Sequence, residues 1–318
     1  MKKSAIRMIV LMLVLVCVSA VVTAAGTQED QSKVMIGYLM KNTTDTFTRS
    51  LNDAVEARLQ ELVDEGIIDD YVSFDGNTDP IMQVNQTADL INMGVDVILV
   101  APAEAEGSSP ILTTAKENGI PVVVVNSKTN NTDELAASFV GSNDVDGGKL
   151  MAEFVKSKLP NGGGYAHLQG VIGNSAQIQR GEGLHAILDG DPNWTMLAEQ
   201  TGEWQGEKAI KFAEDWLALY GNDLNAILCD NDDMATAVKG ATNAAGRTDI
   251  VVIGIDGTKT AMAMVQSGEA DGSILQDAAG QGIQAVNACA DIIQGKSVEK
   301  SIMVPFVLLT QENVAQYM

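Results

Sequence analysis

The chain has 318 residues, 46% of them hydrophobic, with 20 Lys+Arg against 42 Asp+Glu and a formal net charge of −22. A surface that acidic repels phosphate backbones and anionic lipid headgroups, which argues against nucleic acid as a partner. The length exceeds what a single hydrophobic core serves well and calls for two lobes.

At the N-terminus Lys2, Lys3 and Arg7 precede an apolar stretch from Met8 to about Val22, and Thr23-Ala24-Ala25 offers small residues before Gly26. Residues 1–25 therefore read as a secretory signal rather than an anchor, because the run is short for a membrane span and ends in residues suited to a peptidase. Lipidation of Cys17 is the minor reading, since Val16 before it is bulky. Removal of residues 1–25 leaves 17 Lys+Arg and a net charge of −25, on a product bound for the periplasm or the exterior.

Downstream, apolar runs and amphipathic stretches alternate. Strands are expected at 34–40, 71–74, 95–100, 120–125, 138–140, 165–168, 195–199, 226–229, 250–255, 272–275 and 303–308. Between them lie helical patterns. In 79–93, Asp79 can cap, Pro80 suits the first helical position, and Ile81, Val84, Ala88 and Ile91 recur at helical spacing. In 207–220 the same holds for Ala209, Phe212, Ala213 and Trp216, with Gly221 as the stop. Runs such as PVVVV and DIVVIGI have no polar face, so both sides must be covered, which predicts an α/β fold with parallel sheets flanked by helices. Cys229 and Cys289 read as small buried hydrophobes.

Ligands of such sheets bind outside the carboxyl ends of the strands. Asp45 and Phe47 follow the first strand, and Asn126 follows PVVVV. Asn174 and Arg180 follow YAHLQG, Trp204 follows MLAEQTG, Asn231 follows NAILCD, Asp256 follows IVVIGI and Gln276 follows GSIL. Arg180 begins the buried face of its helix, with Leu184, Ile187 and Leu188 four, seven and eight residues on. A guanidinium there must be paired or hold a ligand. Amides, carboxylates and a guanidinium match adjacent ring hydroxyls, and aromatic faces cover C–H surfaces. Each Asn or Asp alone is more often a helix cap or turn former than a ligand contact, and Phe47 and Trp204 also fit as ordinary core aromatics at helix starts. Recurrence at most strand ends favours binding.

Sharper motifs fail. Gly181 to Ala186 fits GxGxxA but lies inside a helical pattern. Ser142 to Glu153 approximates a calcium loop, with Ser142 where the first Asp belongs. The acids Asp230, Asp232 and Asp233 have no histidine near them in sequence, so no metal site is assigned. His167 falls in a strand and His185 in a helix, with no nucleophile elbow, zincin motif or phosphate loop. No pattern supports catalysis, and no cofactor is expected.

The segments IGYLMKNTTDTF, GVDVILVAP, GIPVVVVNS, VGSNDVDGGKLMAEFV, LQGVIGNSAQIQRGEG, NDDMA, VVIGIDGT and ILQDAAGQG span the chain in order, and together they resemble the periplasmic sugar-binding proteins of ATP-driven (ABC) importers, type I. The resemblance implies two similar α/β lobes, 33–139 plus 277–307 and 140–276 plus 308–318, joined by three crossings near 139–141, 276–278 and 306–308. It implies a monomer that closes by a hinge over a sugar and docks on a membrane permease or a chemoreceptor. The site residues it implies are Asp45, Phe47, Asn126, Arg180, Trp204, Asn231, Asp256 and Gln276. Asn231 would bond ligand hydroxyls while Asp232 and Asp233 occupy the first helical turn. Lys41, which joins the candidate set, stands where ribose binders have a small hydroxyl residue. Asn126-Ser127 replaces their Asp-Arg pair, and Thr48 their second Phe. DTF with Trp204 is closer to hexose binders, whereas EQTGEW, LQDAAGQG and PFVLLTQENV resemble inositol- and rhizopine-binding members. The expected ligand is inositol or a hexose. A sugar-sensing repressor core and a secreted sugar-modifying enzyme are the rival classes.

Overall fold

The computed structural model describes residues 33–318, so the secretory-signal and Cys17 readings lie outside the described residues. Val34–Met318 form one compact unit. No helix among the described residues is long and apolar enough to cross a membrane.

The first half alternates strictly: β1 (Met35–Met40), α1 (Thr46–Asp64), β2 (Asp70–Asp75), α2 (Pro80–Met93), β3 (Val97–Val100), α3 (Ser109–Glu117), β4 (Val122–Val125), the single turn α4 (Thr132–Leu135) and β5 (Ser138–Gly141). These strands lie parallel in a six-stranded sheet whose far edge is β12 (Ser301–Met303), in the order β12-β5-β4-β3-β1-β2. The all-apolar strands VILV and VVVV are buried along their length, as a sheet covered on both faces requires.

The second half runs through α5 (Asp144–Lys158), β6 (Gly163–Gln169), α6 (Ser175–Leu188), β7 (Trp194–Thr201), α7 (Gly206–Tyr220), β8 (Leu224–Cys229), α8 (Asp232–Ala244), β9 (Val251–Ile253), β10 (Ile255–Asp256), α9 (Lys259–Ser267) and β11 (Ser273–Leu275). It builds a parallel sheet β7-β6-β8-β9 and a three-stranded sheet β10-β11-β13, in which β13 (Val307–Leu309) lies antiparallel to β11. Between them α10 (Ala278–Ile293) returns to the first half and joins the core cluster that holds Leu51, Val55 and Leu59 of α1. The chain thus leaves the six-stranded sheet after Gly141, re-enters it after Leu275 and leaves again between Met303 and Val307.

Three expectations are corrected. The run 250–255 is not one strand but β9 and β10, in different sheets and separated by Gly254. The run 303–308 is likewise β12 and β13, interrupted by Val304-Pro305-Phe306, because Pro305 has no N–H for a ladder. In α2 the cap is as expected, Asp79 accepting from the Ile81 and Met82 amides, yet the stripe from Ile81 is not the buried face. Ile81 is 71% exposed, and Gln83, Thr87 and Leu90 face inward. Gln83 earns burial through hydrogen bonds: its amide donates to the Met40 and Ala101 carbonyls and accepts from the Ala103 amide.

Helices α5 and α6 approach through small residues. A Cβ on Gly148 would lie 2.0 Å from the Arg180 carbonyl oxygen, and one on Gly183 2.0 Å from that of Val145. This explains the GxGxxA match, whose glycine serves helix packing. Gly183→Ala is expected to lower stability by about 1–3 kcal/mol through overpacking, read from the urea midpoint. Gly190→Ala, with nothing within 4 Å of its new Cβ, serves as the control. Equal midpoints would contradict the close approach.

Candidate functional site

The carboxyl ends of β1 and β4 on one side, and of β6, β7, β8, β10 and β11 on the other, meet at one cleft of about 380 Å³, its mouth included. Lys41, Asp45, Phe47, Asn126, Asn174, Arg180, Trp204, Asn231, Asp256 and Gln276 all line it. The structure therefore brings every candidate residue together. Thr48, Ser127 and Ala176 complete the wall. Beside the cleft the two sides touch directly: the Ala105 amide donates to the Gly173 carbonyl at 2.9 Å, the Lys128 amide to Ser175 Oγ at 2.7 Å, and Asn174 Nδ2 to the Ala103 carbonyl at 3.0 Å.

Arg180 is buried, and each of its three nitrogens makes one hydrogen bond within the protein. Its Nε donates to Asp144 Oδ1 at 2.9 Å, Nη1 to the Asp230 carbonyl and Nη2 to Gln276 Oε1 at 3.0 Å. Burial works against the charge, but Asp144, Asp256 and Asp230 outweigh it and the guanidinium stays protonated. Its Cζ lies 5.8 Å from the centroid of the Trp204 ring, and Lys41 Nζ lies 4.9 Å from the same ring, both within cation–π range. Burial pulls the Lys41 ammonium below its ordinary pKa, against the pull of Asp45. The Trp204 ring packs on Gly170, where a Cβ would lie 2.0 Å from it.

Several residues also hold the loops. Asn174 caps α6 by accepting from the Ala176 amide, and Asn231 caps α8 by accepting from the Met234 amide while donating to the Trp204 carbonyl. Asp45 stands at the N-cap of α1 with no side-chain capping bond; its Oδ2 accepts from Asn42 Nδ2 at 2.8 Å. Asp232 and Asp233 do occupy the first turn of α8, but Asp232 is buried and accepts from Ser273 Oγ and the Thr258 amide, with its pKa raised to about 6 by burial. Asp230 does have a histidine partner, contrary to its sequence surroundings: His167 Nε2 lies 2.9 Å from Asp230 Oδ1. Asp144 of the calcium-like stretch opens α5 and pairs with Arg180. Among the described residues, His167, His185 and Glu199 are grouped closely enough to share a metal ion, and none of them lines the cleft.

Two features mark the cleft as built for a ligand. Asn126, Trp204 and Asp256 adopt positive φ angles of 68°, 65° and 143°, which side-chain-bearing residues rarely adopt. Trp204 Nε1, Asp256 Oδ2 and Gln276 Nε2 are buried with no hydrogen-bond partner in the protein. Burial, then neighbouring Asp232, pushes the Asp256 carboxyl well above the usual range, with Arg180 opposing. Such orphans are costly unless something pairs them. Sequence reasoning passed over Asn42, whose Oδ1 accepts from Thr44, Asp45 and Thr48. Its signal was the Asx-turn chemistry of NTTD. It also missed Gln281, which accepts from Asn126 Nδ2 at 3.2 Å across 155 residues, a pairing with no local signal.

A periplasmic binding protein domain model matches residues 36–297. A candidate rhizopine-binding protein of Rhizobium meliloti is 31% identical over 88% of each chain. The ribose import binding protein of Bacillus subtilis is 30% identical over 89% of each. An ABC transporter solute-binding protein of Bacillus halodurans, crystallised with myo-inositol, superposes with a TM-score of 0.85 at 30% identity, covering 91% of this chain and 98% of that one. The chain belongs to the periplasmic binding protein family, alongside the sugar- and polyol-binding solute receptors of ABC transporters.

Proposed function

We propose that the cleft binds one six-membered polyol ring, inositol or a hexose, and that the protein hands it unchanged to a membrane permease from the outer side of the membrane. The observation that carries this is the set of unpaired buried atoms, Trp204 Nε1, Asp256 Oδ2 and Gln276 Nε2, converging on a cleft with aromatic walls. Two N–H donors and a carboxyl oxygen suit hydroxyls, which both donate and accept. Arg180 is offset by its ion-pair partner Asp144 and Lys41 by the nearby Asp45, so the cleft favours a neutral ligand over an anion. The myo-inositol-bound relative supports the ring size. Lys41, Thr48 and Asn126-Ser127 support discrimination against ribose.

The two sides would act as lobes, 33–139 plus 277–307 and 140–276 plus 308–318, hinged at the three crossings. Closure is favoured only as far as ligand contacts are better in the closed state, and here Lys41, Asp45 and Phe47 come from one lobe while Arg180, Trp204 and Gln276 come from the other. The closed form then presents both lobes to the permease.

Mass spectrometry of small molecules released from freshly purified protein, followed by calorimetry with myo-inositol, D-glucose and D-ribose, tests the assignment. Inositol or glucose is expected to bind roughly tenfold or more tightly than ribose. Ribose binding best, or no polyol binding at all, would sink it. Arg180→Ala and Asp256→Ala should each weaken binding of the preferred ligand by about 2 kcal/mol or more, because partners are left buried and unpaired. Wild-type calorimetric affinity in both would remove them from the site. Trp204→Phe keeps a ring and deletes one donor, so a smaller loss of about 1 kcal/mol is expected by the same measurement.

A further inference from the structure

The parallel pairing of β6 with β7 sets His167 directly opposite Glu199. His185 of α6 comes over the same point, its ring 6.1 Å from that of His167 and inclined by 77°. One oxygen, Glu199 Oε1, receives both: His167 Nδ1 at 2.9 Å and His185 Nε2 at 3.0 Å. The remaining ring nitrogens are each held by a further carboxylate, His167 Nε2 by Asp230 Oδ1 at 2.9 Å and His185 Nδ1 by Asp189 Oδ1 at 3.2 Å. Those carboxylates are anchored in turn, Asp230 Oδ2 by the Gly170 amide and Asp189 by the Tyr165 hydroxyl.

Two imidazoles and a carboxylate facing one point, with each far ring nitrogen donating to an outer carboxylate, is the layout by which proteins orient ligands around zinc. We infer that His167, His185 and Glu199 bind one divalent transition-metal ion of the zinc class, with its fourth position open to solvent. The three donor atoms lie within 4.8 Å of one another. Tetrahedral bonds of about 2.0–2.1 Å place ligand atoms about 3.3 Å apart, so the two histidine–glutamate contacts need lengthen by only a few tenths of an ångström. Access exists, because the His185 and Glu199 side chains are 27% and 29% exposed although His167 is buried. Imidazole nitrogens select zinc, nickel or cobalt over calcium or magnesium, which take oxygen ligands.

The two histidines are the only ones in the chain, so untagged protein offers no rival His pair. Tag-free protein stripped with a chelator and dialysed is titrated with Zn²⁺ by calorimetry and by competition with a chromophoric chelator, and Co²⁺ loading is followed by visible absorption. One equivalent is expected to bind. His185→Ala and Glu199→Gln, both at partly exposed positions, should each lose roughly a hundredfold or more in Zn²⁺ affinity, and Asp189→Asn about tenfold to a hundredfold, with thermal melts confirming folding. Wild type binding Zn²⁺ no more tightly than His185→Ala, or tight binding that survives both His185→Ala and Glu199→Gln, would overturn the assignment.

Discussion

A buried guanidinium cannot stand alone, and that constraint organises the second half of the molecule. Arg180 is held by the first residue of α5, by a carbonyl just past β8 and by an amide just past β11. Removing any one partner would leave charge or dipole stranded in low dielectric. The three segments are thereby fixed around one side chain. The backbone beneath is fixed as well, since Gly148 packs against the Arg180 carbonyl itself. A small residue on one helix thus decides where a charge on its neighbour can sit.

Around that anchor the cleft combines satisfied and unsatisfied polarity. Arg180, Asn174 and Asn231 are paired within the protein. Trp204 Nε1, Asp256 Oδ2 and Gln276 Nε2 are not. Two of the three, Trp204 Nε1 and Asp256 Oδ2, belong to residues with strained backbone, which thus carry both the conformational cost and unmet hydrogen bonds. On the proposed reading, ligand hydroxyls offset the second cost.

Much of this was legible in sequence because a parallel sheet imposes its own order: apolar runs mark strands, and the residues just past each run gather at one rim. Asp45, Asn126, Trp204, Asn231 and Asp256 were readable for that reason. Failures arose where tertiary hydrogen bonding overrode hydropathy. Gln83 displaces Ile81 from the buried face because three backbone groups need it. The apolar run 303–308 divides between sheets at Pro305, a break the residue itself announces, although the sheet each half joins is set by the tertiary path. His167 and Glu199 become neighbours only through strand register across a helical crossover, so no spacing motif could announce them.

The double engagement of Asn174 and Asn231 bears on how this receptor could diverge. Each amide oxygen secures the start of a helix, and each amide nitrogen ties down a loop carbonyl. Exchange at either position loosens the scaffold before it alters recognition. Lys41 is freer to change, because its side chain caps no helix and makes no hydrogen bond to another described residue, whereas Thr48 is tied to Asn42 and the Asp45 carbonyl.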